Sequence, residues 1–443
     1  MPSKLDVFFV SLDVPCLPLA TGVLLREEEQ ASACKAFPMS PLMLLALFVA
    51  ITSCYAQQDR FNRNGTVIVN ELYKQFVAVD LDRDGDIDIV GGFPGWADFS
   101  VYENKGDGKW KSHRSSKGLR DTITYLSIGD VNGDGLLDVI VSGDETFGWM
   151  KNNGNLSFEY ESIQIDSSKY TYDVCAADFN GDSYSDIVVI DTESVFYFER
   201  NEPGKSWSSF EVYSTGASRK EYNYYYYDIV DVLPEDLNSD GLLDLVVALN
   251  DSVVVKLNTA RYPRFDGPWK TLYTGSVYQN IKLAVGNFDN QTGPHIVLVG
   301  NGKLVYLRTR GTRGEDWEER VIDTITDYGG FCYYCDMRTV IIADYDGDGD
   351  DDIILHEAYG QDLWYYENKD ANGHFAQRRS ILSAGRIPGA TVADVDGDEH
   401  VDLVAVTNFD KSDIWKSTMA WYRNGELVVV HEYIAHSTDL KQA

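Results

Sequence analysis

The chain has 443 residues and a formal net charge of −32. Such an acidic balance argues against nucleic acid as a partner, because phosphate backbones bind basic surfaces. Aromatic residues are frequent, with 28 Tyr, 19 Phe and 9 Trp, and 37 glycines supply turns. This composition favours an all-β protein over a helical one.

The N-terminal region carries a candidate targeting segment at residues 39–56. Its apolar run is shorter than the about 20 residues needed to cross a bilayer, and small residues before Gln57 suit signal-peptidase cleavage. We therefore predict a signal peptide at 39–56, with Met39 as the true start and residues 1–38 as a disordered upstream extension. The alternative is a membrane anchor, if the segment 42–54 is uncleaved or lipidated.

Six cysteines are present, of which three lie downstream of the targeting segment. Cys332 and Cys335 are separated by two tyrosines, and we expect them to form a local disulfide. A thioredoxin-like pair is the alternative, but no βαβ pattern surrounds them. Cys175 lies in an apolar stretch and is predicted to be a buried thiol.

Four Asn-x-Ser/Thr triplets are candidate N-glycosylation sites, as expected of a secreted eukaryotic chain. They begin at Asn64, Asn155, Asn250 and Asn290.

A nine-residue acidic pattern recurs along the chain. Its clearest copy, DYDGDGDDD from Asp344, has carboxylates at positions 1, 3, 5 and 9. An EF-hand is excluded because position 12 is Leu355 and the following residues are apolar and β-rich. Copies start at Asp80, Asp130, Asp178, Asp236, Asn287, Asp344 and Asp394, at intervals of 50, 48, 58, 51, 57 and 50 residues.

The rest of each unit repeats as well. Short apolar stretches precede and follow each acidic loop. Next comes an alternating aromatic segment that ends near Asn, and then a fourth strand. Four strands per unit and no amphipathic helix predict a seven-bladed β-propeller over residues 57–443, with each loop between the first and second strands of its blade. A β-solenoid would need shorter periods. Either residues 66–69 or residues 427–430 could supply the outer strand of the last blade.

These residues carry a family resemblance. The unit D-x-[DN]-x-D-G-x-x-D-[IL]-[VI], repeated about every fifty residues over roughly 62–436, resembles the FG-GAP/VCBS repeat. That repeat builds the calcium-bearing propellers of integrin α-subunits and of secreted lectin-like proteins. The resemblance implies Ca²⁺ in the loops and extracellular residence, but no single activity.

Oxygen ligands at this spacing suit Ca²⁺, which accepts six to eight oxygens at flexible geometry. We predict about six structural calcium sites, built from the side chains at positions 1, 3, 5 and 9 and the carbonyl at position 7. Turns of Asp, Asn and Gly without any metal are the alternative. The predicted ligands are Asp80, Asp82, Asp84, Asp86 and Asp88; Asp130, Asn132, Asp134, Leu136 and Asp138; Asp178, Asn180, Asp182, Tyr184 and Asp186; Asp236, Asn238, Asp240, Leu242 and Asp244; Asp344, Asp346, Asp348, Asp350 and Asp352; and Asp394, Asp396, Asp398, His400 and Asp402.

Three loops depart from the pattern. Ser183 in the third loop and Glu399 in the seventh replace the glycine at position 6, which should weaken both loops. The fifth loop has Asn287, Asp289, Gln291 and His295 at the ligand positions, and we expect no calcium there because only one carboxylate remains.

The start of each first strand and the connections between second and third strands should lie on the opposite face of the ring. Tyr and Trp are frequent in these segments, and their rings suit sugar faces and protein recognition. Packing of many rings between blades is the alternative. The candidate ligand-binding residues are Trp96, Tyr125, Tyr172, Tyr225, Tyr278, Tyr359 and Trp415.

The sequence thus predicts a secreted or cell-surface monomer that binds a carbohydrate or an extracellular protein through this aromatic face. A carbohydrate-active enzyme, such as a polysaccharide lyase, is the alternative, and a purely structural interaction protein is a third possibility. No catalytic residue is assigned. Arg386, His356 and Asp98 are the only candidates for a charged cluster at the channel mouth.

Overall fold

The computed structural model describes residues 65–69, 76–92, 99–106, 108–115, 119, 123–143, 146–164, 171–191, 193–200, 206–215, 229–262, 264–275, 281–289, 294–300, 302–309, 317–325, 339–356, 362–384, 387–407 and 417–424, and the backbone of 8–11 and 21–24. Every regular element in these ranges is a β-strand, and none of them is a helix long and apolar enough to cross a membrane. The targeting segment at 39–56 and the pair Cys332 and Cys335 lie outside these ranges.

The chain divides into two units, residues 1–58 and 59–443. In the first unit, β1 (Phe8–Ser11) pairs antiparallel with β2 (Thr21–Leu24). The assignment of this unit to an upstream extension and a signal peptide stays a prediction.

The second unit is built from seven four-stranded antiparallel sheets. Blades 1 to 3 contain β4 (Phe76–Val79), β5 (Asp88–Gly92), β6 (Phe99–Asn104) and β7 (Trp110–Ser115); β8 (Tyr125–Gly129), β9 (Asp138–Ser142), β10 (Phe147–Asn152) and β11 (Phe158–Ser162); and β12 (Thr171–Ala177), β13 (Asp186–Asp191), β14 (Ser194–Glu199) and β15 (Ser208–Ser214). Blades 4 to 6 contain β16 (Ile229–Glu235), β17 (Asp244–Leu249), β18 (Ser252–Lys256) and β19 (Lys270–Thr274); β20 (Lys282–Gly286), β21 (His295–Gly300), β22 (Lys303–Thr309) and β23 (Trp317–Thr324); and β24 (Thr339–Ala343), β25 (Asp352–His356), β26 (Asp362–Tyr366) and β27 (Arg379–Ser383).

The seventh blade joins the two ends of the propeller. It contains β28 (Gly389–Ala393), β29 (Asp402–Thr407) and β30 (Thr418–Tyr422), and its outer strand is β3 (Thr66–Val69) from the start of the unit. Thr66 pairs with Trp421 and Val67 with Ala420. The N-terminal strand is therefore the one of the two candidates that closes the ring. Each first strand lies beside the first strand of the next blade, including β28 beside β4, which confirms the predicted seven-bladed all-β propeller.

The inner strands are apolar on both faces because each blade is covered by a neighbour on either side. In β9, Val139 and Val141 face blade 1, whereas Ile140 faces blade 3. Successive strand residues point to opposite faces, so a strand buried on both faces reads as a continuous apolar run. The buried hydrophobic residues accordingly form seven clusters, one at each interface between neighbouring blades.

The second residue of every acidic loop is an anchor in the interface with the following blade. These seven residues are all buried, and each belongs to the cluster on that side; they are Leu81, Val131, Phe179, Leu237, Phe288, Tyr345 and Val395. The loop is therefore fixed by the next blade as well as by its own.

An asparagine at the end of the third strand completes this link in five blades. We call it the linking asparagine; its side-chain N–H donates to the carbonyl of the anchor residue in the preceding blade. The pairs are Asn104 to Val395, Asn152 to Leu81, Asn258 to Phe179, Asn368 to Phe288 and Asn424 to Tyr345, at 2.8–3.1 Å. Arg200 and Thr309 occupy the corresponding positions in blades 3 and 5.

Replacing a linking asparagine should loosen two blades at once. Asn152→Ala leaves the buried carbonyl of Leu81 without its donor, which should lower the free energy of unfolding by about 1–3 kcal/mol. The control is Asn153→Ala, because Asn153 is exposed and adjacent. Equal stability of the two variants in chemical denaturation would show that the link contributes nothing.

Candidate metal centre

All seven acidic loops lie on one face of the ring. Each one connects the first and second strands of its blade, as the sequence predicts, and in every blade this connection is eight residues long. Because the strand order is the same in all blades, the loops emerge at the same end of each sheet.

Two backbone positions in each intact loop have positive φ. In blade 6 they are Gly347 at 73° and Gly349 at 95°, positions 4 and 6 of the loop. This left-handed region is open to glycine but strained for other residues. Ser183 at 73° and Glu399 at 68° occupy position 6 of the third and seventh loops, and Arg83 at 62° and Ser239 at 59° occupy position 4 of the first and fourth. Each of these four residues adopts a backbone conformation that glycine would adopt with less strain.

The carboxylate at position 1 organises the turn. In blade 6, Asp344 accepts hydrogen bonds from the backbone N–H of Gly347 at 2.7 Å and of Gly349 at 2.9 Å. Position 5 adds a second turn: in blade 2, the Asp134 carboxylate accepts the N–H of Leu136 at 2.9 Å. The loop is therefore preorganised, with its acidic side chains turned inward.

The carboxylate at position 9 is buried and joins three segments of the blade. In blade 2, Asp138 accepts the N–H of the anchor residue Val131 at 3.0 Å and the N–H of Asn152, at the end of the third strand, at 2.8 Å. In blades 3 and 6 a third-strand tyrosine also donates, Tyr197 to Asp186 and Tyr365 to Asp352. All six position-9 aspartates are fully buried, so each loop is tied to its own hairpin.

Burial changes the protonation of these six carboxyls. Burial raises the pKa of each carboxyl to about 7. The hydrogen-bond donors lower it, and the charges of neighbouring carboxylates raise it by a smaller amount. The fixed donors are too few to offset the loss of water, so an added positive charge beside the loop would favour the ionised form.

The donor set fits a hard divalent cation. In blades 1, 6 and 7, one carboxylate oxygen from each of three aspartates lies within 4.8 Å of the others, which is about the separation of two oxygens bound to one Ca²⁺. In blade 1, Asp80 Oδ1 and Asp82 Oδ1 are buried and accept no hydrogen bond from the protein. Because buried oxygens are costly without a partner, these two atoms fit direct coordination. The three sets are Asp80, Asp82 and Asp88; Asp344, Asp346 and Asp348; and Asp394, Asp396 and Asp402.

The fifth loop does not fit a metal, since its one carboxylate already has a cationic partner. Asp289 is buried, and the Arg308 guanidinium lies 2.8 Å from its Oδ2. His295 replaces the position-9 aspartate, and its Nδ1 accepts the N–H of Phe288 at 3.2 Å. Burial lowers the pKa of His295, and the accepting Nδ1 requires the neutral ring.

The seventh loop keeps all four carboxylates but also faces an arginine. Arg423 Nε lies 2.7 Å from Asp396 Oδ2, and its Nη2 lies 3.1 Å from Asp398 Oδ2. Burial raises the pKa of Asp396 despite this partner. For Asp398, burial is the largest single effect and acts in the same direction, but the hydrogen bond from Arg423, the backbone N–H of His400 and the nearby positive charge together lower the pKa of this carboxyl.

The predicted ligand-binding aromatics are mostly outside the described residues. This applies to Trp96, Tyr225, Tyr278, Tyr359 and Trp415, and to the side chain of Tyr172. Tyr125 is described: it is half-buried and packs against the cluster between blades 2 and 3. Tyr125 therefore contributes to packing between blades, and its role in ligand binding stays a prediction.

Other predicted residues are placed as follows. Asn155 is exposed in the turn between β10 and β11, and Asn250 is half-buried between β17 and β18, whereas Asn64 and Asn290 are outside the described residues. Cys175 is a buried free thiol, as predicted. His356 is buried in β25, and Arg386 and Asp98 are not described.

A charged group that sequence reasoning missed lies where the first strands of blades 3, 4 and 5 begin. Asp173, Asp231 and Lys282 share one register position, five residues before their loops. The Asp231 carboxylate accepts the N–H of Leu283 at 2.8 Å and lies 3.6 Å from Lys282 Nζ. Burial, and then the charge of Asp231, raises the pKa of Asp173 far above its usual range. Aligning the repeats on their loops is the one sequence signal that could have revealed this group. Its contacts join neighbouring inner strands.

The raised carboxyl pKa values predict a pH dependence of the metal-free protein. A folded pKa of about 7 against an ordinary value of about 4 means that the folded chain binds these protons more tightly than the unfolded chain. The resulting stabilisation is complete below about pH 4 and is lost as the pH rises through 7. We expect EDTA-dialysed protein to melt at a higher temperature at about pH 5.5 than at about pH 7.5 in metal-free buffer. The opposite order would contradict the raised pKa of the buried position-9 carboxyls.

Comparisons with known proteins identify the repeat. The FG-GAP-like repeat profile matches residues 80–141, 130–189, 178–247 and 344–405, together more than half of the chain. These matches omit the divergent fifth loop. No curated protein sequence matches the chain.

Solved structures share the fold at low sequence identity. One is an Agrocybe aegerita lectin that specifically recognises non-reducing terminal N-acetylglucosamine. It is 16% identical, with a TM-score of 0.55, and the match covers 79% of this chain and 93% of that one. Another is BBS1N, crystallised in complex with ARL6DN, at 10% identity and a TM-score of 0.51, covering 84% and 97% of the two chains. At these identities the similarity concerns the fold. On the strength of the repeat matches and of the seven blades that contain them, the chain belongs to the FG-GAP-like repeat family.

Proposed function

We propose that the protein is a secreted or cell-surface binding module in which calcium stabilises the propeller and the face opposite the acidic loops binds a glycan or an extracellular protein. The observation that carries this proposal is the contrast between the acidic loops, which are uniform, and the connections on the opposite face. The acidic-loop connections are eight residues long in every blade, whereas the second-to-third strand connections range from two residues, between β13 and β14, to ten, between β29 and β30. The third-to-fourth strand connections beside the acidic loops also vary, from five residues to thirteen.

This contrast separates structural from recognition elements. In the six intact acidic loops, the position-1 carboxylate accepts the N–H of position 6, and the position-9 carboxylate accepts the N–H at the end of the third strand. These loops therefore do the same structural work in their blades. The connections from a fourth strand to the next first strand vary as well, from five residues before β28 to fourteen before β16 and β24. Loops of varied length on a rigid scaffold are where binding residues concentrate.

The chemistry of the variable connections supports a carbohydrate or protein ligand. The connection between β5 and β6 contains Trp96, and that between β29 and β30 contains Trp415. Indole rings supply apolar area and an N–H donor together, which suits both sugar faces and protein epitopes. The lectin of similar fold recognises N-acetylglucosamine, which is consistent with sugar binding on such a scaffold.

Calcium accounts for the acidic face. A divalent ion held by positions 1, 3, 5 and 9 would neutralise carboxylates that otherwise repel one another in a small volume. It would also favour ionisation of the buried position-9 group. In this proposal the ion is structural, and the residues around it hold the loop rather than a substrate.

Calcium removal should destabilise the protein. Because an ion that binds only the folded state stabilises it by mass action, millimolar Ca²⁺ should raise the melting temperature by several degrees, and EDTA should reverse the effect. Mg²⁺ is the control, since it demands a tighter octahedral geometry and should do less. An unchanged melting temperature in EDTA would exclude structural calcium.

Ligand binding should map to the variable face. We expect binding on a glycan array or to an extracellular matrix preparation, and we expect Trp96→Ala and Trp415→Ala to weaken it at least tenfold, since stacked aromatic anchors dominate such interfaces. Tyr262→Ala is the matched control because Tyr262 is 68% exposed on the acidic-loop face, between β18 and β19. Turnover of an acidic polysaccharide would favour an enzyme, and equal loss in all three variants would contradict the assignment of the face.

A further inference from the structure

One position at the end of each third strand differs in charge from blade to blade. It immediately precedes the linking asparagine or its replacement, and we call it the pre-link residue. In blade order the pre-link residues are Glu103, Lys151, Glu199, Leu257, Arg308, Glu367 and Arg423.

The pre-link residue faces position 3 of the acidic loop in its own blade. In blade 3, Asn180 Nδ2 lies 3.4 Å from Glu199 Oε1. The same pair of positions is in contact in blade 5, between Arg308 and Asp289, and in blade 7, between Arg423 and Asp396. The contact therefore recurs in blades 3, 5 and 7, and in these blades the side chain at the pre-link position decides what charge reaches position 3 of the loop.

Arginine at this position brings a positive charge to the carboxylates that would bind a metal. In blade 5 the guanidinium pairs with the only carboxylate left at the ligand positions, and that carboxylate is buried. In blade 7 the guanidinium pairs with two of the four carboxylates, at positions 3 and 5, through separate nitrogens. A fork of two N–H groups on two carboxylates gives strong charge-assisted hydrogen bonds.

The two blades differ in what remains if the arginine leaves. The fifth loop has no aspartate at positions 1, 5 or 9 and cannot offer a cation enough oxygens. The seventh loop keeps Asp394 and Asp402, and their carboxylate oxygens lie within 4.8 Å of that of Asp396. The Arg423 side chain is 41% exposed, so it has a path into solvent.

We propose that Arg308 and Arg423 are internal cations that replace calcium, permanently in blade 5 and in competition with the metal in blade 7. This inference rests on the proposed binding of calcium by the intact loops. It makes the seventh loop the weakest of the six calcium sites, because Ca²⁺ must displace a guanidinium before it reaches positions 3 and 5.

The test compares calcium binding by the full chain and its variants, using equilibrium dialysis against buffered Ca²⁺ with metal analysis, and isothermal titration. Arg423→Gln should tighten one site by about 10- to 100-fold, the factor that corresponds to hydrogen bonds to charged groups. At a Ca²⁺ concentration that leaves this site empty in the parent, the variant should hold one more ion per chain. Arg423→Lys keeps the charge without the planar fork and should give an intermediate affinity.

Two further variants serve as controls. Lys151→Gln removes a cation at the same position of blade 2, where position 3 is the neutral Asn132 rather than an aspartate, and should leave the number of bound ions unchanged. Arg308→Gln should add no ion, because its loop lacks ligands, and should lower the melting temperature, since Asp289 is left buried without its partner.

Each outcome separates this inference from the proposed function. If the parent binds calcium and Arg423→Gln changes neither affinity nor number, competition by Arg423 is excluded while structural calcium stands. An added ion in Arg308→Gln would overturn the assignment for blade 5. If neither the parent nor any variant binds calcium, both proposals fail.

Discussion

A buried carboxylate at the ninth position of the acidic loop is the constraint on which each intact blade depends. Asp352, for example, accepts the N–H of Tyr345 in its own loop and the N–H of Asn368 at the end of the third strand. Asn368 in turn donates to the carbonyl of Phe288 in the preceding blade. One carboxyl group thus fixes a loop and a third strand, and through the linking asparagine it sets the position of the neighbouring blade.

Burial of that carboxylate has an electrostatic cost that the blades meet in different ways. Transfer of a charge from water is unfavourable unless hydrogen bonds and opposite charges compensate it. Tyr197 and Tyr365 add hydroxyl donors in blades 3 and 6. Blade 5 replaces the acid by the neutral His295, which keeps the acceptor for the anchor residue without the charge. The hydrogen bond from the anchor residue is therefore retained where the charge is not.

The ring couples these local features. Seven apolar clusters lie at the blade interfaces, and β3 closes the seventh blade, so stability depends on a complete circle of neighbours. Loops that emerge on one face are held from two sides, by their own hairpin and by the next blade. The connections of the opposite face are unequal in length, whereas the acidic loops are uniform. This difference supports the proposed separation of calcium stabilisation from ligand recognition.

The fold was predictable to an unusual degree because the information is repeated. Seven copies of an acidic loop at about fifty-residue spacing, each flanked by apolar runs, determine four strands per unit and the position of the loop between the first two. Within the loop, positions 4 and 6 have positive φ, and glycine occupies most of them; Arg83 and Ser239 at position 4, and Ser183 and Glu399 at position 6, are the departures. The poor metal-binding capacity of the fifth loop can also be predicted from the sequence, since three of its four acidic positions are occupied by other residues.

Other features depended on contacts that no local pattern encodes. Ring closure by Thr66–Val69 joins residues 350 to 355 positions apart, and the sequence offered two candidate strands for it. The linking asparagines recur at one position of the repeat and are visible in the sequence. Their hydrogen-bond partners lie in the preceding blade, so the sequence does not reveal them. Arg308 and Arg423 are ordinary cations in the sequence; only the packing of a third strand beside its own loop places their charge on Asp289 and Asp396. Repetition is a property of the chain and can be read from it, whereas the distance between groups in different strands is decided by the tertiary structure.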